Sequence, residues 1–285
     1  LNAEGEITQQ WRLNGAITNA DAQDRWMLTT PVSYPADGTA MNTLRKSAAN
    51  IRLGEYIADA TAESIARYGL DTPRLVIRLH QAAGTIGAVG TTGSYATTDY
   101  PEATITLVIG EQESDLVDYV LYDGGIYRCS TLLLRGVMNA DWQETITRYP
   151  VLTALGNLAS LSRETADGVD TWVITRTEQV AENNELVTDD EGNQVYDITL
   201  MKNGEPSDYT AFSAAYNQLM MVTMSGRLPD GWTAADAPHT VWTFTDVDGT
   251  VHTIALTRYD AMHDAVAIDG VALFYLIQGG FSLGI

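Results

Sequence analysis

Two periods take turns along the chain. Ile7 to Leu13 alternates apolar and polar residues, the mark of a half-buried strand, and Asn14-Gly15 behind it is a hairpin-turn signal. Asp24 to Thr30 predicts a second strand, with Trp26 and Leu28 on one face and Met27 and Thr29 on the other, ended by Pro31 and Pro35. The period then lengthens. Met41, Leu44, Ala48 and Ile51 form one stripe of an amphipathic helix that Asp37 or Thr39 can cap and Gly54 can close. A shorter helix is predicted over Thr61–Tyr68, with Gly69 at its end and Pro73 beyond. Strands follow at Leu75–Leu79 and Ala103–Ile109, then a hairpin of Tyr119–Tyr122 and Ile126–Arg128 around Asp123-Gly124-Gly125. The later half predicts a strand at Thr171–Arg176, a hairpin-like insertion over Thr177–Pro206 and a helix from Thr210 to Met224. It closes with strands at Thr240–Phe244, Val251–Leu256, Val266–Ile268 and Leu273–Leu276. The segment Met138–Gly168 is the predicted boundary, with a linking helix near Val151–Leu161.

The two halves share motifs. Asp24-Arg25-Trp26-Met27-Leu28-Thr29-Thr30 returns as Asp170-Thr171-Trp172-Val173-Ile174-Thr175-Arg176, and Val120-Leu121-Tyr122-Asp123-Gly124 returns as Val266-Ala267-Ile268-Asp269-Gly270. Both offsets are 146 (172 − 26 and 269 − 123). The shared residues belong to a strand face and a turn, not to a catalytic set. Strands joined by short turns favour antiparallel pairing, and one helix can cover one face of such a sheet. The expected fold class is therefore α+β, as two tandem related units, 1–145 and 146–285, each a mainly antiparallel sheet with one main helix packed on it.

Charge narrows the range of partners. Sixteen Lys and Arg against thirty-seven Asp and Glu give a formal charge of −21, which repels nucleic acid phosphates and anionic lipid. Nucleic acid is not an expected partner. Cys129 is the only cysteine, so no internal disulfide can form, and with only Arg128 beside it a buried, unreactive thiol is expected. The longest apolar run, Val271–Ile277, is far too short to span a bilayer. The chain begins at Leu1, not Met, so a signal or anchor is expected to have stood upstream and to provide the only membrane attachment.

Several of these features occur together in one family. A Trp-bearing strand before Pro31, then Ala36-Asp37-Gly38 with Asn42 and Leu44, then Tyr68-Gly69-Leu70-Asp71-Thr72-Pro73, Ile105–Gly110 and the closing hairpin resemble the domain-of-unknown-function family 4340 over roughly residues 5–135. The second half keeps the Trp strand and the Asp-Gly hairpin but lacks the Tyr-Gly-Leu-Asp motif, and resembles the family as a diverged copy. The resemblance implies a bacterial protein outside the cytoplasm, secreted or membrane-anchored, whose partners are protein components of an ABC-type transporter at the cell envelope. It implies no catalytic residues. Tyr68 to Pro73 read as structural: a helix ends, Gly69 turns the chain, Leu70 plugs a core and Pro73 starts a strand.

Chemistry-bearing patterns are sparse. Asp260, His263 and Asp264 are weak candidates for a metal site on a tight loop, but no His-Glu-x-x-His or Cys-x-x-Cys spacing supports one. Asp246-Val247-Asp248-Gly249 misplaces its glycine for a calcium loop and reads as a hairpin turn. Asp189-Asp190-Glu191-Gly192-Asn193 reads as a solvated acidic loop. Gly84–Ala103 carries Gly87, Gly90 and Gly93 without the Lys and helix of a phosphate loop. It reads as a long insertion whose Tyr95 and Tyr100 are candidate contacts for a ligand or partner. No cofactor is implied. The expected function is a non-catalytic binding or scaffold module. The alternative is a hydrolase or carbohydrate-active domain with its site in a groove between the units.

Overall fold

A computed structural model describes residues 6–13, 26–89, 95–181, 186–189 and 194–284. The chain divides into two compact units, Leu1–Ile146 and Thr147–Ile285.

The first unit opens with three short antiparallel strands, β1 (Gln10–Leu13), β2 (Trp26–Thr30) and β3 (Tyr34–Pro35). Asp37 then caps α1 (Gly38–Ala49), its carboxylate accepting the Ala40 N–H at 2.8 Å. Next come β4 (Leu53–Asp59), α2 (Ala62–Arg67), β5 (Leu75–Gln81), β6 (Gly84–Val89), β7 (Tyr95–Tyr100), β8 (Ala103–Ser114), β9 (Val117–Tyr122) and β10 (Gly125–Ser130). The unit ends with α3 (Thr131–Met138) and α4 (Trp142–Thr145). Among the described residues its main sheet is antiparallel, in the order β4-β10-β9-β8-β5.

Each face of that sheet has its own cover. Ile77, Leu107, Ile109, Val120 and Cys129 form a buried cluster with Leu134 of α3. Arg128 lies opposite Tyr119 and Ile126 opposite Leu121, so Tyr119, Leu121 and Ile126 share the other face. The turn after α2 lies over that second face. Gly69 takes φ 64°, Leu70 is buried, and the Glu111 N–H donates to the Tyr68 carbonyl at 3.0 Å. Gly110 sits so close beneath that a Cβ there would lie 2.3 Å from the Tyr68 carbonyl oxygen.

The second unit has a short 3-10 turn at Leu155–Asn157, then β11 (Leu158–Thr165), β12 (Gly168–Glu178), β13 (Tyr196–Lys202), β14 (Glu205–Ser207) and α5 (Tyr209–Met220). It continues with β15 (Gly226–Arg227), β16 (Thr240–Asp246), β17 (Val251–Arg258), β18 (His263–Ile268) and β19 (Val271–Ile277). Among the described residues these strands form one antiparallel sheet, β14-β13-β12-β11-β16-β17-β18-β19-β15. Asp208 caps α5, which buries Phe212 and Tyr216 against Trp172 and Phe244. Trp172 stacks on Trp242 with centroids 6.4 Å apart, and the Tyr216 hydroxyl donates to the Thr153 carbonyl at 2.8 Å.

Part of this order repeats that of the first unit: β15-β19-β18-β17-β16 runs as β4-β10-β9-β8-β5 does. The hairpin turns agree as well. Asp123 and Gly124 take φ 47° and 75°, and Asp269 and Gly270 take 49° and 85°, both central residues left-handed as in a type I′ turn.

The elements differ from the expected ones in several places, and the second long helix ends at Met220 rather than Met224. The first long helix stops at Ala49, and Gly54 lies within β4, where a Cβ would come within 3.0 Å of the Arg128 carbonyl oxygen. The expected linking helix near Val151–Leu161 is a 3-10 turn and the start of β11. Gly84–Ala103 is not a long loop: β6 and β7 pair as a hairpin that prolongs β5 and β8, with Gln81 facing Ala103 and Gly84 facing Tyr100. Helix α3 is not among the elements that the periodicity predicts. The insertion over 177–206 holds β13 and β14 around Asn203-Gly204, together with bridges of Val180 to Leu186 and Thr188 to Gln194. Asn14-Gly15 and residues 190–193 lie outside the described residues.

Candidate functional site

The second unit's sheet carries a groove on its outer face. Ala255 faces Ala267, Thr257 faces Ala265, and Ala267 faces Ala272, so one side of β17–β19 is floored by small residues. Ile254, Leu256, Val266 and Ile268 point the other way and are buried in the core. A loop from β15 to β16 returns over the small-residue face. It is pinned at both ends, by the Leu228 N–H to the Leu273 carbonyl at 3.0 Å and the His239 N–H to the Leu256 carbonyl at 2.9 Å. Gly231, at φ 73°, turns the loop so that Trp232 joins Thr233, Ala234 and Pro238 as a wall. The half-open space is about 400 Å³, and Gly270 is also part of its lining. None of the residues lining it is ionisable.

An aromatic row continues from the wall. Trp232 meets Tyr259 edge-on at 6.1 Å, Tyr259 stacks on Tyr275 at 5.2 Å, and His263 sits edge-on to Tyr275 at 4.9 Å. Tyr275 lies across Gly226 of β15, where a Cβ would fall 2.3 Å from its hydroxyl. At the end of the row His263 Nδ1 pairs with Asp260 Oδ2 at 2.9 Å. The Met262 N–H, the His263 ring and the His263 N–H together hold the Asp260 carboxyl below the usual range.

These contacts place the three candidate metal residues. Asp260 and His263 are paired. Asp264, the next residue of β18, points to the opposite face, is 2% exposed, and lies 3.2 Å from His239 Nε2 and 3.6 Å from an Arg258 guanidinium nitrogen. Among the described residues, no group of three His, Cys, Asp or Glu side chains is arranged to hold a metal ion. Tyr100 ends β7, packed so that a Cβ at Gly84 would lie 2.5 Å from its hydroxyl. Tyr95 begins β7 opposite Val89, and its side chain lies outside the described residues. The hairpin therefore holds these two tyrosines at opposite ends of one strand.

Two buried carboxylates are not predicted by the sequence motifs. Asp118 of β9 is 0% exposed and ion-paired with Arg74, the residue after Pro73. Asp264 lies 146 positions on (264 − 118) and pairs with His239, the residue after Pro238. The signal was parity: Asp118 alternates in step with Val120, and Asp264 with Val266, so both carboxylates fall on core-facing positions. The groove had a similar signal in the alanines at 255, 265 and 267, but its wall comes from a loop that periodicity does not place.

Among the described residues no helix is long and apolar enough to cross a membrane. No curated protein and no solved structure matches the chain. One family model does match, described as Domain of unknown function (DUF4340), over residues 26–239. It reaches well past the 5–135 stretch that the motifs marked, into the sheet of the second unit. With more than half of its length matched, the chain belongs to the DUF4340 family.

Proposed function

We propose that the protein is a non-catalytic binding module of the bacterial cell envelope, built from two copies of one α+β unit, whose second unit grips a protein partner in the groove beneath Trp232. The observation that carries this reading is the groove's lining: alanine, threonine, glycine, proline and tryptophan, with no ionisable group to move a proton or attack a bond. Such a surface holds its ligand by shape and apolar contact. Support for two copies comes from the common strand order, the paired Asp-Gly turns, the aspartate caps of α1 and α5, and the two buried carboxylates that each pair with a residue following proline. An extracytoplasmic location, anchorage to the membrane and a transporter component as partner follow from the family resemblance and are parts of the proposal.

The test is retention of partners from solubilised envelopes on the immobilised chain. An ABC-type transporter subunit should be retained by the wild type and lost from Ala267→Trp, which fills the groove at a half-exposed floor position. Equal retention by both proteins would sink the proposal.

A further inference from the structure

We propose that the groove receives an amphipathic, basic-flanked helix from the partner, seated where α2 and its following turn lie on the first unit. This rests on the groove being a binding site and adds the form and charge of what enters it.

The first unit shows what covers this face. There, Tyr68 of the turn after α2 rests on Tyr119 with ring centroids 4.5 Å apart, Leu121 and Ile126 share that face of the sheet, and α2 and the turn form the connection from β4 to β5. In the second unit the matching positions are Ala265, Ala267 and Ala272, each 146 further on (265 − 119, 267 − 121, 272 − 126). The matching connection, from β15 to β16, contains no helix. Three large side chains of the first unit stand against three methyl groups in the second, and the connection that carries α2 in the first carries only a loop in the second, beside the space under Trp232. Ala265 is already buried, so the open part of the floor is Ala267 and Ala272, and large apolar side chains from above would fill the space over them.

Backbone chemistry favours a helix over an added strand. The floor is the face of β17, β18 and β19, which hydrogen-bond to one another, so it offers no strand edge for a ladder. A helix satisfies its own backbone and presents anchors at i, i+3 or i+4, and i+7. Charge gives the partner's sign. The wall segment 229–238 carries Asp230 and Asp236 and no Lys or Arg, Asp260 lies beyond Tyr259, and the whole chain carries −21. Lys or Arg flanking the apolar anchors complements that rim.

The experiment is selection from a displayed library of 14-residue peptides on the full chain, followed by fluorescence anisotropy of the selected peptides. Two variants are compared with the wild type, each first shown to be folded by circular dichroism. Ala267→Leu with Ala272→Ile restores the first unit's residues at half-exposed floor positions, and Trp232→Ala removes the wall. The expected result is peptides with Leu, Phe or Met at helical spacing between basic flanks, bound at least tenfold more weakly by either variant and more weakly at high salt. Selected peptides that respond to the variants but are proline-rich, extended or acidic overturn the helix while leaving a binding groove. Self-association of the chain that the filled variant abolishes makes a second copy the occupant and overturns the proposal. No peptide sensitive to either variant overturns both the helix and the groove as a site.

Discussion

Asp118 and Asp264 are carboxylates almost without access to water; Asp118 is ion-paired with Arg74, and Asp264 lies near both His239 and Arg258. For Asp118 that partner is Arg74, which also donates through Nε to the Gly110 carbonyl at 2.7 Å. Arg74→Met would leave a buried charge uncompensated, at a cost of about 3–5 kcal/mol, whereas adding Asp118→Leu should recover most of the loss. Urea denaturation of the single and double variants measures both. If the double variant is no more stable than the single one, the pair does not control the site. Asp260 gives a pH dependence of known sign. Its carboxyl is held low, foremost by the Met262 N–H and then by His263, so the fold favours the anion. That stabilisation is complete above the ordinary aspartate value of about 3.9 and is lost as pH falls through the lower folded value. NMR should show the Met262 and His263 amides shifting below about pH 4, before the sheet unfolds. Trp172 and the Asp-Gly turns could be read from sequence because their signals are local. The Arg74 pairing could not, because its partner stands 44 positions away.

At the scale of elements, α1 and α5 were readable from their helical period, and for α1 from Asp37 as a cap as well. β11 was not, and the cause is a register shift. Leu158 faces Asp246 while Ser160 already faces Thr245, so a bulge brings Leu158 and Leu161 to the same buried face three residues apart, which imitates a helix. α3 is short and contains Gly136, a weak helix former; that glycine lets the Ser47 side chain of α1 approach, since a Cβ there would fall 2.7 Å from its hydroxyl. Gly110 plays the corresponding part beneath the turn after α2. Gly110→Ala would meet the Tyr68 backbone, which cannot swing away as a side chain could, and should cost roughly 1–3 kcal/mol. A lowered melting temperature with faster amide exchange at Leu70 is the expected outcome, and an unchanged Leu70 would show that the turn is not held there.

For the whole molecule, the tandem arrangement expected from two short matched segments says nothing of which strand lies beside which. That information sits in pairings such as Gly226 to Tyr275, made by a strand of only two residues. The second unit's aromatic core draws on its own residues, Trp172, Phe212, Tyr216, Trp242 and Phe244. Expressed as residues 147–285, it should therefore fold alone, with dispersed NMR signals and a cooperative thermal transition; a molten spectrum would count against an independent core. The β6–β7 hairpin has the opposite character. Because Gln81 still faces Ala103 where Gly84 faces Tyr100, the ribbon crosses from sheet to arm without losing step. An arm in phase with its parent strands is an interchangeable part. It can be shortened to a two-residue turn, or replaced by another hairpin, without changing which face any residue of β5 or β8 presents. The arm can thus vary freely in length and sequence while the sheet it grows from stays the same.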